Sequence, residues 1–262
     1  MALVEYAVRD GMAVLQLNDP PANAYTYEMN RALDDAILQA RFDPKVHAIV
    51  LRGAGEKFFC AGANIGMLQE ADPVFKYYFC LHANETLNRF EQTPKLVVAA
   101  LNGHTVGGGL EIALAADLRV ARRGAGQIGL PEVKLGVLPG TGGTQRLARI
   151  VGKSRAIELM ASGRTMDFDA AKGLGLVNEV LDGEPGDWWE KALEYTAQFL
   201  PPRRGALAVG LIKRAVQSGV EIPFESGLAL EREMQQRLFA SDDAREGLAA
   251  YLEKREPRFG GK

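Results

Sequence analysis

The segment that most constrains the fold is a run of glycines between two apolar stretches. Residues 96–101, Leu-Val-Val-Ala-Ala-Leu, precede Asn-Gly-His-Thr-Val-Gly-Gly-Gly-Leu-Glu at 102–111, and an alanine- and leucine-rich run continues to Ala116. The first run predicts a buried strand, and the last predicts a helix packed on most sides. Three consecutive glycines at the junction carry no Cβ, so the chain can turn sharply there and a bound group can approach the backbone closely.

This turn also determines what the start of the predicted helix can do. The first N–H groups of a helix have no partner within the helix, and they carry the positive end of its dipole. Glu111 lies in the first turn, where a carboxylate commonly stabilises a helix start. A general base that acts on a substrate held by the glycine turn would occupy the same place. On this segment alone, both roles stay open for Glu111.

Composition narrows the class of protein. A chain of 262 residues, 47% hydrophobic and 24% charged, is expected to form one large domain or one domain with a small appendage. Its formal net charge of −2 argues against nucleic acid or an anionic membrane as the main partner. Only two cysteines, no signal-peptide pattern and no apolar run of the ~20 residues that span a bilayer together predict a cytoplasmic protein.

Periodicity and turn residues predict mixed α/β structure followed by helices. Strands are expected at 4–9, 12–17, 48–51, 58–60, 96–101, 118–121, near 127–129 and at 177–180. Helices are expected after Thr26, over much of 75–90, at 144–150, at 155–162 and throughout the region from Trp188. Asp10-Gly11 predicts a hairpin between the first two strands. The sequence shows no internal repeat of fixed period.

Several familiar kinds of site are not supported. The chain has no Gly-x-Ser-x-Gly nucleophile elbow, and its glycine-rich stretches lack the Gly-Lys-Ser/Thr ending of a phosphate loop. His47, His82 and His104 are scattered, without carboxylates or cysteines at ligand spacing, so no metal site is predicted. Cys60 has an apolar setting and no histidine placed to activate it, and we interpret it as a packing residue.

Two loops and two carboxylates remain as candidates. Ala63, in the turn after the strand at 58–60, and Gly108, at the predicted helix start, could each present a backbone N–H to one oxygen atom. Such a pair is an oxyanion hole, in which each donor contributes roughly 3–4 kcal/mol to transition-state stabilisation. The second carboxylate, Glu132, follows Pro131, and on its own it is more simply interpreted as a surface glutamate.

In combination, these segments resemble the crotonase family, and in particular its enoyl-CoA hydratases. The resemblance is carried by Phe-Cys-Ala-Gly-Ala-Asn-Ile at 59–65, by the glycine run at 102–111 and by Gly-Leu-Pro-Glu at 129–132. It is extended by Pro-Gly-Thr-Gly-Gly-Thr-Gln-Arg-Leu at 139–147, Asp-Ala-Arg-Glu-Gly at 243–247 and Glu-Lys-Arg at 253–255. It runs from about Val4 to Phe259, essentially the whole chain.

The resemblance implies an α/β fold with two regions. Residues 1–187 would form the crotonase-type spiral of ββα turns, the catalytic core that binds an acyl-CoA thioester. Residues 188–262 would form a carboxyl-terminal helical region for assembly into a homotrimer or homohexamer. No cofactor is implied, since coenzyme A is part of the substrate.

The resemblance also implies roles for the candidate residues. The N–H groups of Ala63 and Gly108 would hold the thioester carbonyl oxygen. Hydratases of the family use two glutamates, and both are present here as Glu111 and Glu132. Glu132 would exchange a proton at the α-carbon, and Glu111 would orient and activate the water that attacks the β-carbon. Polarising the carbonyl into an enolate-like oxyanion makes both steps feasible.

Further substrate contacts follow from the same match. Residues of the two matched loops are expected to line the substrate site, namely Ala61, Asn64, Ile65 and Gly107. Lys57 lies just before the first loop, and Tyr251 and Lys254 match positions that reach the nucleotide of coenzyme A in some relatives. For these three, solvated lysines and a packing tyrosine are an equally simple interpretation. The wall of the acyl pocket is expected from residues 67–79.

Two departures from the family pattern concern the substrate more than the reaction. Asn64 stands where family members commonly have aspartate, which keeps the turn-forming geometry but removes a charge. One extra residue lies within 122–127, compared with the common spacing between the two glutamates. Neither departure removes a predicted catalytic group.

The alternatives come from the same fold and from another class. Because a fold does not determine a function, the hydratase prediction rests on the glutamate pair. An enoyl-CoA isomerase, or a carbon–carbon bond hydrolase or decarboxylase, would use the same oxyanion hole. A non-catalytic acyl-CoA- or RNA-binding relative is the alternative from another class, and the net charge of −2 argues against RNA.

Overall fold

A computed structural model describes residues 2–261. It begins with an antiparallel hairpin of β1 (Val4–Arg9) and β2 (Met12–Leu17), whose tip is Asp10-Gly11. Both tip residues have a positive φ, which glycine adopts without cost and aspartate tolerates. The hairpin predicted from this dipeptide is therefore confirmed.

Two sheets form the centre of the described chain. The later strands are β3 (Ala48–Gly53), β4 (Phe58–Cys60), β5 (Leu96–Leu101), β6 (His104–Val106), β7 (Leu118–Arg122), β8 (Ile128–Gly129) and β9 (Glu179–Leu181). The larger sheet has the order β1-β2-β3-β5-β7-β9, and its strands are parallel from β2 onward. The smaller sheet, β4-β6-β8, is also parallel.

Helices occupy most of the remaining chain. They are α1 (Tyr27–Phe42), α2 (Ile65–Glu70), α3 (Pro73–Gln92), α4 (Gly108–Leu114), α5 (Gly143–Val151), α6 (Lys153–Ser162), α7 (Phe168–Gly173), α8 (Pro185–Ala197), α9 (Ala206–Gly219), α10 (Phe224–Phe239) and α11 (Asp242–Glu253). Within residues 2–261, none of them combines the length and the apolar character needed to cross a membrane.

The two sheets and the helices are linked by a repeated ββα unit. Each of β3, β5 and β7 lies in the larger sheet and is followed by a short strand of the smaller sheet and then by helix. This is the ββα spiral implied by the resemblance. The units differ in length, which explains why the sequence shows no fixed period even though the structure repeats.

The core has two parts because the larger sheet is covered on both faces. On one face, Leu15, Ile49 and Val97 pack with the apolar residues of α1, α3 and α4. On the other face, Val50 and Val98 pack with Trp188 and its neighbours in α8. Strands buried on both faces have continuous apolar sequences, as the runs at 48–51 and 96–101 do.

The structure differs from the predicted elements in several short segments. The apolar run at 177–180 predicted a strand, but β9 begins at Glu179, because Val177 packs into the core instead of joining the ladder. The three-residue strand β6 lies between β5 and α4, where the sequence predicted only a glycine-rich turn between the strand and the helix. The helices α2 and α7 have six residues each and were missed, since so few residues show no helical period.

The helix α8 and the helices after it attach to the sheet in different ways. Residue 187, the predicted boundary between core and appendage, lies within α8, which packs on the larger sheet. The helix α9 is fixed by Lys213, whose ammonium lies 2.8 Å from the Asp117 carboxylate and donates to the Phe90 carbonyl at 2.6 Å. The helix α10 has no fully buried residue within the single chain, and Phe224 and Phe239 at its two ends are exposed.

Candidate active site

The two predicted oxyanion loops lie next to each other. After β4, the Gly62 carbonyl accepts the Tyr25 N–H at 2.9 Å, and the Asn64 N–H donates to the Tyr25 carbonyl at 2.9 Å. Peptide groups alternate in direction along an extended segment, so the N–H of Ala63 points away from Tyr25. It donates no hydrogen bond to any residue of 2–261. This donor is therefore available to a ligand.

The second loop is the start of α4. Gly107 has φ 57° and ψ −135°, a conformation that glycine alone adopts readily, and its carbonyl accepts the N–H groups of Leu110 and Glu111. As the first residue of the helix, Gly108 has an N–H without an acceptor in the described chain. A Cβ on Gly62 would lie 3.0 Å from the Gly108 nitrogen, so the first loop packs directly on this helix start.

Glu111 is held inside the protein by the loop before α5. Its carboxylate is 2% exposed, and one oxygen accepts the N–H groups of Thr141 at 2.8 Å and Gly143 at 2.7 Å. The Thr141 hydroxyl donates to the other oxygen. Burial raises the pKa of Glu111, and these hydrogen bonds partly oppose the rise because they favour the carboxylate. The side chain therefore has a fixed position, as a residue that orients a water molecule requires.

Glu132 approaches the same glycine turn from the other side. It begins a 3-10 helix, Glu132–Leu135, and one of its carboxylate oxygens would lie 3.2 Å from a Cβ on Gly107. The other oxygen is buried and has no hydrogen-bond partner within 2–261. Burial, with a smaller contribution from the negative charge of Glu111, raises the pKa of Glu132 to about 7. This carboxyl group can therefore donate or accept a proton near neutral pH.

Comparison with known proteins identifies the family of this chain. The sequence profile of the enoyl-CoA hydratase/isomerase family matches residues 7–262. The chain belongs to the enoyl-CoA hydratase/isomerase family. The family acts on acyl-CoA thioesters, substrates whose carbonyl oxygen a pair of backbone donors can hold.

Individual relatives cover almost the whole chain. The short-chain-enoyl-CoA hydratase of Clostridium acetobutylicum is 37% identical over 94% of this chain and 92% of its own length. The mitochondrial methylglutaconyl-CoA hydratase of Mus musculus is 37% identical over 96% of this chain and 80% of its own. These two relatives are named for different acyl groups, so identity at this level does not select the acyl group here.

Solved structures confirm the predicted fold. A crystal structure of an enoyl-CoA hydratase from Geobacillus kaustophilus HTA426 superposes with a TM-score of 0.96 at 44% sequence identity. The match covers 100% of this chain and 98% of that one. The crotonase-type α/β architecture predicted from the sequence is thus correct.

Two residues at this family site were not found from the sequence. Tyr25 is 3% exposed, its ring stacks on Phe79 at 5.6 Å, and its hydroxyl lies 3.4 Å from that of Thr141. The same hydroxyl fills the space beside Gly108, where any side chain would collide with it. Burial raises the pKa of Tyr25 well above its ordinary value, so the phenol stays protonated. Its position depends on a contact across 116 residues, for which the sequence contains no local signal.

A cavity of about 660 Å³ opens beside the first oxyanion loop. It lies between the start of α1, the helix α2 and the start of α3, and Asn64, Met67 and Phe75 are on its wall. Two of these three belong to residues 67–79, the segment from which the acyl-pocket wall was expected. Neither Glu111 nor Glu132 is on its wall, so the acyl-pocket wall stays a prediction.

The other residues predicted in the two loops have varied structural roles. The Ala61 N–H donates to the Ala22 carbonyl at 2.9 Å, which fixes the loop to the chain before α1. The Asn64 side chain caps α2 by accepting the Met67 N–H at 3.0 Å, a cap that aspartate would also make. Ile65 is the first residue of α2 and is 56% exposed.

The residues predicted to contact the nucleotide are exposed and belong to two separate parts of the sequence. Lys57 is exposed, and its ammonium lies 5.7 Å from the centre of the Phe58 ring, near the start of β4. Tyr251 and Lys254 are both exposed on or just after α11. Neither lines the 660 Å³ cavity. Their role at the nucleotide stays a prediction.

Proposed function

We propose that this chain hydrates a 2-enoyl-CoA thioester to the 3-hydroxyacyl-CoA. The observation that carries the proposal is the pair of carboxyl groups at the glycine turn, of which Glu111 is buried and Glu132 half-buried. Glu111 is fixed by three hydrogen bonds, whereas Glu132 has an unpartnered oxygen and a pKa raised to about 7. One group suited to hold a water molecule and one suited to exchange a proton are the two that hydration needs.

The proposed reaction divides the work between the backbone and the two glutamates. The thioester carbonyl oxygen accepts the N–H groups of Ala63 and Gly108, which stabilise the enolate-like oxyanion. The oxygen of water bonds to the β-carbon while Glu111 takes one proton from that water. Protonated Glu132 gives its proton to the α-carbon as the enolate collapses. A proton then returns from Glu111 to Glu132, so the pair is restored.

The substrate brings the only coenzyme that this reaction requires. Coenzyme A is attached to the acyl group, and we propose no separate cofactor. The ammonium groups of Lys57 and Lys254 are suited to its phosphates and the ring of Tyr251 to its adenine, since phosphates pair with cations and bases stack on aromatic rings. Ala61, Asn64, Ile65 and Gly107 are proposed to line the path of the thioester beside the oxyanion hole.

The pH dependence of hydration tests this function. With a short 2-enoyl-CoA, the conjugated enoyl absorbance should disappear on adding the protein, and kcat/KM should fall as the pH rises through about 7. The value of kcat/KM falls because deprotonation of Glu132 above its raised pKa leaves two carboxylates and no proton for the α-carbon. The decrease should approach about tenfold per pH unit, and kcat/KM reports the free enzyme.

The reverse reaction is the control for this experiment. Dehydration of the 3-hydroxyacyl-CoA should show the same high-pH decrease, because it uses the same pair carrying the same single proton. A kcat/KM that is flat from roughly pH 6 to pH 9 would contradict the assignment of Glu132. Conversion of a 3-enoyl-CoA to the 2-enoyl-CoA without any hydration would replace the hydratase by the isomerase.

We also propose that the chain assembles into a homotrimer or homohexamer. Apolar side chains of the last three helices stay exposed in the single chain, including Val216, Phe224, Phe239 and Leu252. An exposed apolar surface of this kind is typical of a subunit interface. We expect light scattering at micromolar concentration to give a mass of three or six chains. A monomer mass would be incompatible with the proposal.

A further inference from the structure

A second cavity, of about 240 Å³, is separate from the 660 Å³ cavity. It opens where the carboxyl ends of β3, β5 and β7 meet the start of α8, and it shares no lining residue with the 660 Å³ cavity. Its wall includes Arg52, Asn102, Arg122, Trp188 and Trp189. In parallel sheets, the carboxyl ends of the strands are the usual place for ligand sites.

Arg52 lacks a counter-ion at this cavity. The side chain is half-buried, it forms no ion pair within 2–261, and burial alone lowers its pKa. Its Nε donates weakly to the Gly53 carbonyl at 3.4 Å, and the guanidinium lies 4.4 Å from the centre of the Trp189 ring. Buried cations elsewhere have closer partners: Lys213 lies 2.8 Å from the Asp117 carboxylate, and the Arg119 guanidinium donates to the Leu176 and Ala116 carbonyls at 2.7 and 2.8 Å. A half-buried guanidinium without an anion is costly unless a ligand supplies one.

Arg122 presents a second cation to the same cavity. Its Nη2 donates to the carbonyls of Glu56 and Asn102 at 3.2 and 3.4 Å, but its buried Nε has no partner within the described residues. Trp188 is 1% exposed, and its indole N–H is also unpartnered there. The acidic side chain on this wall is Glu56, whose carboxylate is exposed and joins neither arginine in an ion pair. The wall thus has two arginine side chains and no carboxylate paired with either.

We propose that this cavity binds a small oxyanion, a phosphate group or a carboxylate, between Arg52 and Arg122. Guanidinium groups form paired hydrogen bonds with such anions, and the Trp189 ring supplies an apolar wall on which Arg52 stacks. The cavity is smaller than the ~300 Å³ at which pockets for drug-sized molecules begin, which favours an anion of the size of inorganic phosphate or acetate.

The position of the site suggests what a bound anion would do. The Asn102 side chain accepts the Gly53 N–H at 2.9 Å and donates to the Gly55 carbonyl at 2.8 Å, so it joins the ends of β3 and β5. Arg122 holds the Glu56 carbonyl in the same segment, which leads into β4 and on to Ala63. An anion between the arginines would help to hold this segment in place.

Intrinsic fluorescence offers a direct test, because the chain has two tryptophans and both line the cavity. We expect inorganic phosphate to change their emission in a saturable way, with KCl at matched ionic strength as the control. Arg52→Gln and Arg122→Gln should each raise the phosphate Kd about tenfold or more, since each removes a charge-assisted pair of hydrogen bonds. Sodium acetate, titrated in parallel, distinguishes a carboxylate site from a phosphate site.

Matched variants and a competitor make the outcome decisive. Arg123→Gln changes the adjacent arginine, which is exposed and paired with Asp169 and Asp182, and it should leave the Kd unchanged. Wild-type protein that responds to neither anion beyond the KCl control would overturn the proposal. An unchanged phosphate Kd in a folded Arg52→Gln variant would also overturn it. Loss of the phosphate response in saturating acyl-CoA would overturn it as well, because it would place the arginines in the substrate site. None of these outcomes depends on the proposed hydration.

Discussion

Replacing Ala63 with proline should lower the turnover of a short 2-enoyl-CoA by roughly 10²–10³-fold. Proline has no backbone N–H, so one of the two oxyanion donors is deleted. Since the Ala63 N–H donates no hydrogen bond within residues 2–261, the substitution removes no hydrogen bond that the fold uses there. The loss should appear mainly in kcat, because the oxyanion forms only as the reaction proceeds.

The control for this prediction is Ala63→Gly, which keeps the N–H and should retain near-normal turnover. Circular dichroism of both variants shows whether the proline has distorted the loop. If the proline variant is folded and turns over the substrate at the normal rate, Ala63 is not an oxyanion donor.

The fold could be predicted from the sequence because its main determinants are local. Alternating strands, an Asp-Gly hairpin and apolar runs bounded by glycine are recognised without knowledge of distant contacts. The elements that were missed are short: β6 has three residues, and α2 has six. Such segments are fixed by their neighbours, as β6 is by pairing with β4 and β8.

The residues of the candidate site were likewise predicted where the signal is local and missed where it is not. Glu111 was found because it lies in the glycine turn, and Glu132 because the Pro-Glu pair belongs to a known motif combination. Tyr25 and Thr141 were not singled out, although they complete the surroundings of Glu111 and Gly108. Their importance arises only when segments far apart in the chain meet.

The glutamate pair distinguishes hydration from isomerisation. An isomerase moves one proton from one carbon to another, so a single proton-exchanging group is enough. A hydratase must manage a proton and a water molecule together. If this chain is a hydratase, Glu111→Gln and Glu132→Gln should each lower hydration of a short 2-enoyl-CoA by roughly 10²–10⁴-fold. Each should leave the affinity for a saturated acyl-CoA nearly unchanged, since the backbone donors remain.

The measurement is the initial loss of enoyl absorbance, with competition by a saturated acyl-CoA to measure binding. Glu158→Gln is the matched control, because the Glu158 side chain is 63% exposed on α6 and pairs with Arg164. In Glu111→Gln, the high-pH decrease of the residual activity should also move to lower pH, because the charge of Glu111 contributes to the raised pKa of Glu132. If Glu111→Gln instead keeps full activity while Glu132→Gln loses it, one group performs the chemistry, and the chain is an isomerase.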